Sequence, residues 1–66
     1  MFPKEKCKCC LLKTIDKGEA GLYDVCPNCG WENDPIQNDD PNNKGGANRM
    51  SLNEAREAYK KGLPIY

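Results

Sequence analysis

Two short stretches, Cys7-Lys8-Cys9-Cys10 and Cys26-Pro27-Asn28-Cys29, decide how this chain of 66 residues is read, and fifteen residues separate them. A Cys-x-x-Cys turn brings two sulfurs of one tight backbone loop onto the same ion. A single such pair is weak, because redox motifs share it; two pairs at this interval match the four-thiolate zinc pattern. Zn²⁺ takes four ligands tetrahedrally, with sulfur at about 2.3 Å. We therefore assign Cys7, Cys10, Cys26 and Cys29 as ligands of one Zn²⁺. In the second pair, backbone N–H groups can face the thiolates, and Gly30 tolerates the positive φ such a turn needs. The first pair is followed by Leu11, which predicts a stiffer or differently shaped turn. Lys4, Lys6, Lys8 and Lys13 partly balance the double negative charge of a zinc tetrathiolate.

Cys9 is left over, since the spacing selects Cys7 and Cys10. It reads as a fifth thiol beside the site, buried or idle. The sharper alternative is a ligand-exchange or redox thiol whose pKa the metal lowers, although neither His nor another base is present to activate it. Iron is the competing metal. A four-cysteine iron site would make the chain an electron carrier resembling rubredoxin, but the interval is shorter than in that family and its aromatic core is missing.

The rest of the composition explains why a metal is needed. A chain this short buries roughly 60% of the surface its unfolded form exposes, so its stability is marginal without a staple. Hydrophobic residues make up 38% and aromatics 8%. Trp31, Tyr23 and Tyr59 can stack on bases, but with so few aromatics they read first as packing. The first residues, Met1-Phe2-Pro3-Lys4-Glu5-Lys6, lack the apolar core of a signal peptide, and no apolar run reaches the ~20 residues of a membrane span. With five cysteines, an odd number, metal ligation in the reducing cytoplasm is the better account than a disulfide framework. The expectation is one domain over 1–66, with a core over 6–61 and tails at 1–5 and 63–66.

Between the pairs, Leu11–Ile15 and Leu22–Val25 read as strands of a hairpin joined by Asp16–Gly21. Residues 33–48 are rich in Asn, Asp, Pro and Gly and read as a long loop. Ser51-Leu52-Asn53-Glu54 has the form of a capping box, which starts a helix over about 52–61. Leu52, Ala55 and Tyr59 share one face, Glu57 and Lys61 pair at i,i+4, Gly62 ends the helix and Pro64 prevents its resumption. A helix this short needs a docking surface, for which the hairpin or Trp31 is the choice. The fold class is thus a small metal-stapled α+β domain: a zinc-ribbon-like β-hairpin with two cysteine knuckles, a long loop and one C-terminal α-helix.

Several chemistries are excluded. Without His there is no Ser–His or Cys–His nucleophile pair. Four thiolates leave no coordination position for water, so metal-assisted hydrolysis and a small-molecule substrate are not expected, and the chain reads as a non-enzyme. Asp40-x-Asn42 with Gly45 lacks the remaining ligands of a calcium loop. Gly45-Gly46 has no Lys-Ser/Thr after it and reads as a turn rather than a phosphate cradle.

Ten basic and ten acidic residues cancel, which argues against a general grip on nucleic acid or anionic membranes. The charge is nonetheless segregated: residues 26–48 sum to −3 (Lys44 against Glu32, Asp34, Asp39 and Asp40) and residues 49–66 to +2 (Arg49, Arg56, Lys60 and Lys61 against Glu54 and Glu57). Of these, Glu32, Asp34, Asp39, Asp40, Arg49, Arg56, Lys60 and Lys61 are the candidate partner-binding residues. The leading functional reading is a non-catalytic structural-zinc domain that binds another protein. The alternatives are a nucleic-acid-binding zinc ribbon that uses the basic C-terminal helix, and the iron electron carrier.

From Cys7 to about Tyr59 the chain resembles the bacterial cysteine-rich CPCC proteins, small single-domain cytoplasmic products. The shared elements are Cys7-x-Cys9-Cys10, Tyr23-Asp24-x-Cys26-Pro27-x-Cys29 and Trp31-Glu32-x-Asp34. Pro35, Gln37, Pro41, Gly45-Gly46-Ala47-Asn48 and Ser51-Leu52-x-Glu54-Ala55-Arg56-x-x-Tyr59 follow in order. Lys8 stands where the family has its first proline, and Leu11 where a glycine usually follows. The resemblance implies a zinc-ribbon-like fold and suggests a bacterial toxin–immunity or phage–host setting. It implies no biochemical activity.

Overall fold

The computed structural model describes residues 3–66. In chain order it contains β1 (Lys4–Lys6), β2 (Lys13–Asp16), a 3₁₀ turn (Gly18–Gly21), α1 (Pro35–Asp39) and α2 (Leu52–Lys61). The two strands pair antiparallel, Lys4 opposite Asp16 and Glu5 opposite Ile15, with an irregularity after Glu5. A hairpin is present as the sequence predicts, but its strands flank the first cysteine pair instead of linking the two pairs. The cause is local. The Cys7 amide donates to the Leu12 carbonyl at 2.9 Å and the Leu11 amide to the Cys7 carbonyl at 2.8 Å. The knuckle itself therefore reverses the chain and feeds β1 and β2 into register. Leu11 and Leu12, expected as strand residues, belong to that turn. Leu22–Val25 runs instead beside Glu32 and Asn33, through the Val25–Glu32 bridge and a 2.9 Å bond from the Tyr23 amide to the Asn33 carbonyl.

The long polar segment contains the short helix α1, where only loop was expected. Asp34 caps it: its Oδ1 accepts from the amides of Ile36 at 2.8 Å and Gln37 at 3.3 Å, and Pro35 occupies the first helical turn, where its missing N–H costs nothing. Helix α2 matches the predicted limits. Ser51 Oγ accepts from the Glu54 amide (3.1 Å), Glu54 accepts from the Ser51 amide (3.0 Å), and Gly62 closes the helix in the left-handed conformation at φ 70°. Its buried face is Leu52, Ala55 and Ala58. Tyr59, assigned to that face from sequence, lies outside it and is 41% exposed. Position 59 is rotated about 100° from position 58, which carries its ring off the face that Leu52 and Ala55 pack into the cluster of Cys7, Cys9 and Cys26.

The core is built around sulfur. Cys7, Cys9, Ile15, Cys26, Trp31, Leu52 and Ala55 form one buried cluster, with Cys10, Cys29, Met50 and Ile65 packed against it. Trp31 is fully buried and lies in the same cluster as the inner face of α2. After Gly62 the chain folds back, and the Met50 amide donates to the Tyr66 carbonyl at 3.0 Å. Among the described residues no helix is long and apolar enough to cross a membrane.

Candidate metal centre

The two knuckles are copies of one backbone design. In the second, the Gly30 amide donates to the Cys26 carbonyl at 2.9 Å and the Cys26 amide to the Trp31 carbonyl at 2.8 Å. These are the bonds that Leu11, Cys7 and Leu12 make in the first. The residue after each second cysteine has positive φ, 90° at Gly30 and 67° at Leu11. Leu11 thus adopts the shape that the sequence assigned to glycine alone, and the expected difference between the turns is absent. What remains is strain, since an L-residue in this region costs about 1 kcal/mol.

Folding brings the four predicted ligands together: the sulfurs of Cys7, Cys10, Cys26 and Cys29 all lie within 4.8 Å of one another. Cys7 Sγ is 3.6 Å from Cys29 Sγ, and Cys10 Sγ is 3.8 Å from Cys26 Sγ. Four sulfurs bonded at about 2.3 Å to one tetrahedral ion stand about 3.8 Å apart. Disulfides need about 2.05 Å. The spacing fits a shared metal ion, with one short cross-contact joining each cysteine of one knuckle to a cysteine of the other.

Electrostatics point the same way. Burial pushes the Cys7 thiol well above its ordinary value, and burial likewise pushes Cys29 up to about 12. At Cys26 burial acts upward too, but the Thr14 hydroxyl and the backbone amides of Cys29 and Asn28 outweigh it and bring that thiol down to about 6. Thr14 Oγ1 lies 3.0 Å from Cys26 Sγ; against a thiolate its hydroxyl is the donor. Without a cation the cluster thus sets a readily ionised Cys26 beside Cys7 and Cys29, whose burial resists ionisation. A divalent ion supplies the charge that lets all four ionise. Cys9 is buried in the core, and burial raises its thiol to about 11.

Behind the second knuckle stands a shelf of side-chain amides that composition alone reads as solvated loop. Trp31 Nε1 donates to Asn38 Oδ1 at 2.9 Å, Asn38 Nδ2 to Asn33 Oδ1 at 2.7 Å, and Asn33 Nδ2 to the Gly21 carbonyl at 2.8 Å. Asn48 pairs with the Glu32 backbone in both directions, at 2.8 and 3.0 Å, as a strand neighbour would. Gln37, fully buried, accepts from the amide and side chain of Asn48 and donates to the carbonyls of Asn43, Asn48 and Met50. Every buried side-chain polar atom among the described residues has a partner. Gly46 is required here, because a Cβ would sit 2.7 Å from Asp34 Oδ2 and 2.8 Å from Gln37 Cδ. The Asp34-Pro35 helix start is the one local signal that this segment is ordered.

The charged candidates divide. Asp34 is buried and turns inward: besides capping α1 it accepts from the Ala47 amide at 2.9 Å. Although burial works against the ionised form, the amides of Ala47, Gln37 and Ile36 hold its carboxyl below the usual range. Glu32 is half-buried, with its backbone tied to Asn48. Asp39 and Asp40 are exposed at the C-terminal end of α1, and Arg49 is exposed in the segment before α2. On α2, Lys60 and Lys61 are exposed, whereas Arg56 is half-buried and donates from Nε to the Lys8 carbonyl at 2.9 Å, clamping the helix to the first knuckle.

A two-stranded ribbon, a packed helix and a cluster of four cysteines placed to bind a metal ion define a small metal-binding domain. This chain belongs to the cysteine-rich CPCC family, whose family model matches residues 5–62. Comparison with curated proteins gives no match.

Proposed function

We propose that the chain is a non-catalytic zinc module that binds another protein in the cytoplasm. The observation that carries the reading is the sulfur cage. Four thiolates at tetrahedral spacing saturate the ion, so no position is open to activate water or hold substrate. The metal's task is then cohesion, and the folded surface is left to do the work. Zinc is favoured over iron because the interval between pairs is short and Trp31 is the one buried aromatic ring among the described residues.

Native mass spectrometry tests the first half: one zinc ion per chain and a colourless protein are expected, whereas iron with visible absorption overturns it. Co-purification of the tagged, zinc-loaded chain from its source cells tests the second half. Specific capture of a protein, lost when Cys26→Ser unfolds the bait, supports the reading. Capture of RNA or DNA, or of nothing, contradicts it.

A further inference from the structure

One face of the molecule combines strain, exposed apolar surface and unpaired positive charge. Where the first knuckle meets α2 lies a groove of about 340 Å³, lined by Cys9, Cys10, Leu11, Arg56, Tyr59 and Lys60. Leu11 is 59% exposed, so the φ strain it bears gains little burial within its own chain. Tyr59 is held beside it by the bond its hydroxyl accepts from Asn28 at 3.1 Å. Arg56 is fixed through Nε to the Lys8 carbonyl, an anchorage that leaves its two terminal amino groups to grip a carboxylate end-on. Neither Arg56 nor Lys60 has an ion-pair partner among the described residues, where the pairs are Lys4–Asp16, Lys44–Glu54 and Lys61–Glu57. No carboxylate lines the groove.

We propose that this groove is where the partner protein docks, through an extended acidic segment that places an apolar side chain between Leu11 and Tyr59 and a carboxylate on Arg56 and Lys60. The inference rests on the protein-binding reading above and names its site and the chemistry of its partner. Charge complementarity selects the occupant. Two cations without counter-ions favour an acidic segment, and a zero net charge withholds the wider positive field a nucleic acid would need. Apolar contact between the cations supplies the burial that isolated exposed ion pairs lack.

The test is amide-resolved NMR of the zinc-loaded full chain, titrated with a synthetic peptide alternating Glu with Leu and Phe. A peptide with Lys in place of Glu and a single-stranded RNA of matched charge serve as comparisons. Saturable shifts at Leu11, Arg56, Tyr59 and Lys60 are expected with the acidic peptide alone. Lys60→Glu should weaken binding about tenfold, while Lys61→Glu, with the same net charge but outside the groove, should change it less than about twofold. Leu11→Gly, which relieves φ strain and so keeps the fold, should weaken binding several-fold. Absence of saturation, shifts elsewhere, equal loss in the two lysine variants or an equal response to RNA each overturn the proposal. Capture of one cellular partner by wild type and Lys60→Glu alike overturns the groove but leaves the protein-binding reading intact. Capture of no partner at all removes that reading, while the peptide titration still decides the groove.

Discussion

The two cysteine knuckles share a backbone and differ in almost everything around it. Each has its first cysteine fully buried and its second partly so, and each closes with the same pair of backbone hydrogen bonds. Yet the first ends in a strained, exposed Leu11-Leu12 and is steadied by the β1–β2 ribbon and Arg56. The second ends in Gly30 and the buried Trp31, supported by the amide shelf of residues 33–48. The residue that follows the second cysteine therefore does not dictate the turn, and two sulfurs sharing one ion would require the same shape in both. Glycine makes the shape easy; metal bonding of about 10–16 kcal/mol in small zinc-finger peptides makes it affordable for leucine. Support can then come from a ladder of backbone bonds or from buried carboxamides, which offer a donor and an acceptor as a strand does.

The comparison breaks most completely if either knuckle loses a ligand. Cys26→Ser should abolish metal binding and unfold both knuckles together, since the intrinsic stability of so small a chain is a fraction of the metal's contribution. Circular dichroism and native mass spectrometry check this. Cys9→Ser should retain the metal and cost about 1 kcal/mol, chiefly for a buried hydroxyl; a loss as large as that of Cys26→Ser would show the ligand register to be wrong.

Next in size is the shelf. Gln37→Leu leaves the carbonyls of Asn43 and Asn48 and the Asn48 amide without their present partner, and should cost about 2–4 kcal/mol. Hydrogen exchange should rise at the amides of Cys26 and Gly30 more than at those of Cys7 and Leu11. Equal rises would mean that the two knuckles are not supported separately.

Exchanging the turn residues gives smaller, opposite effects. Gly30→Ala has steric room, the nearest atom to its Cβ beyond its chain neighbours being the Ile65 carbonyl oxygen at 3.6 Å, so only φ opposes it, at about 1 kcal/mol. Leu11→Gly should stabilise the chain by up to about 1 kcal/mol, reduced by the entropy glycine loses on folding. Chemical denaturation of the zinc-loaded variants reads both.

The smallest effect is one of pH. The Asp34 carboxyl is held below its unfolded value, so its contribution is fully present above the ordinary carboxylate range and is lost as pH falls through the depressed folded value. Acid below the ordinary carboxylate range should therefore loosen the shelf, raising exchange at the Ala47 amide. Asp34→Asn should be less stable at neutral pH and lack that part of the acid dependence.

Much of this was legible in the residues themselves. The four ligands followed from spacing and the limits of α2 from Ser51, Glu54 and Gly62, because each signal is a local chemical requirement. The hairpin was misplaced for an instructive reason. Lys4–Lys6 has no apolar alternation, so pattern reading passed over it, while Leu11-Leu12 looked like strand but was needed for the turn. A knuckle is itself a chain reversal, and its own flanks are the first segments able to pair. The amide shelf was invisible because Asn33, Gln37 and Asn48 are residues that composition assigns to solvent; only their mutual geometry shows that they replace backbone partners. Tyr59 was misassigned because helical spacing gives a face but not which edge of it meets the core.

The account stands on one ion joining two otherwise unlike turns, and chelation followed by amide-resolved NMR tests that directly. Removing the metal to demonstrated absence should collapse signal dispersion in both knuckles and in α2 at once. A metal-free chain that kept its dispersed spectrum, or lost one knuckle while holding the other, would contradict it.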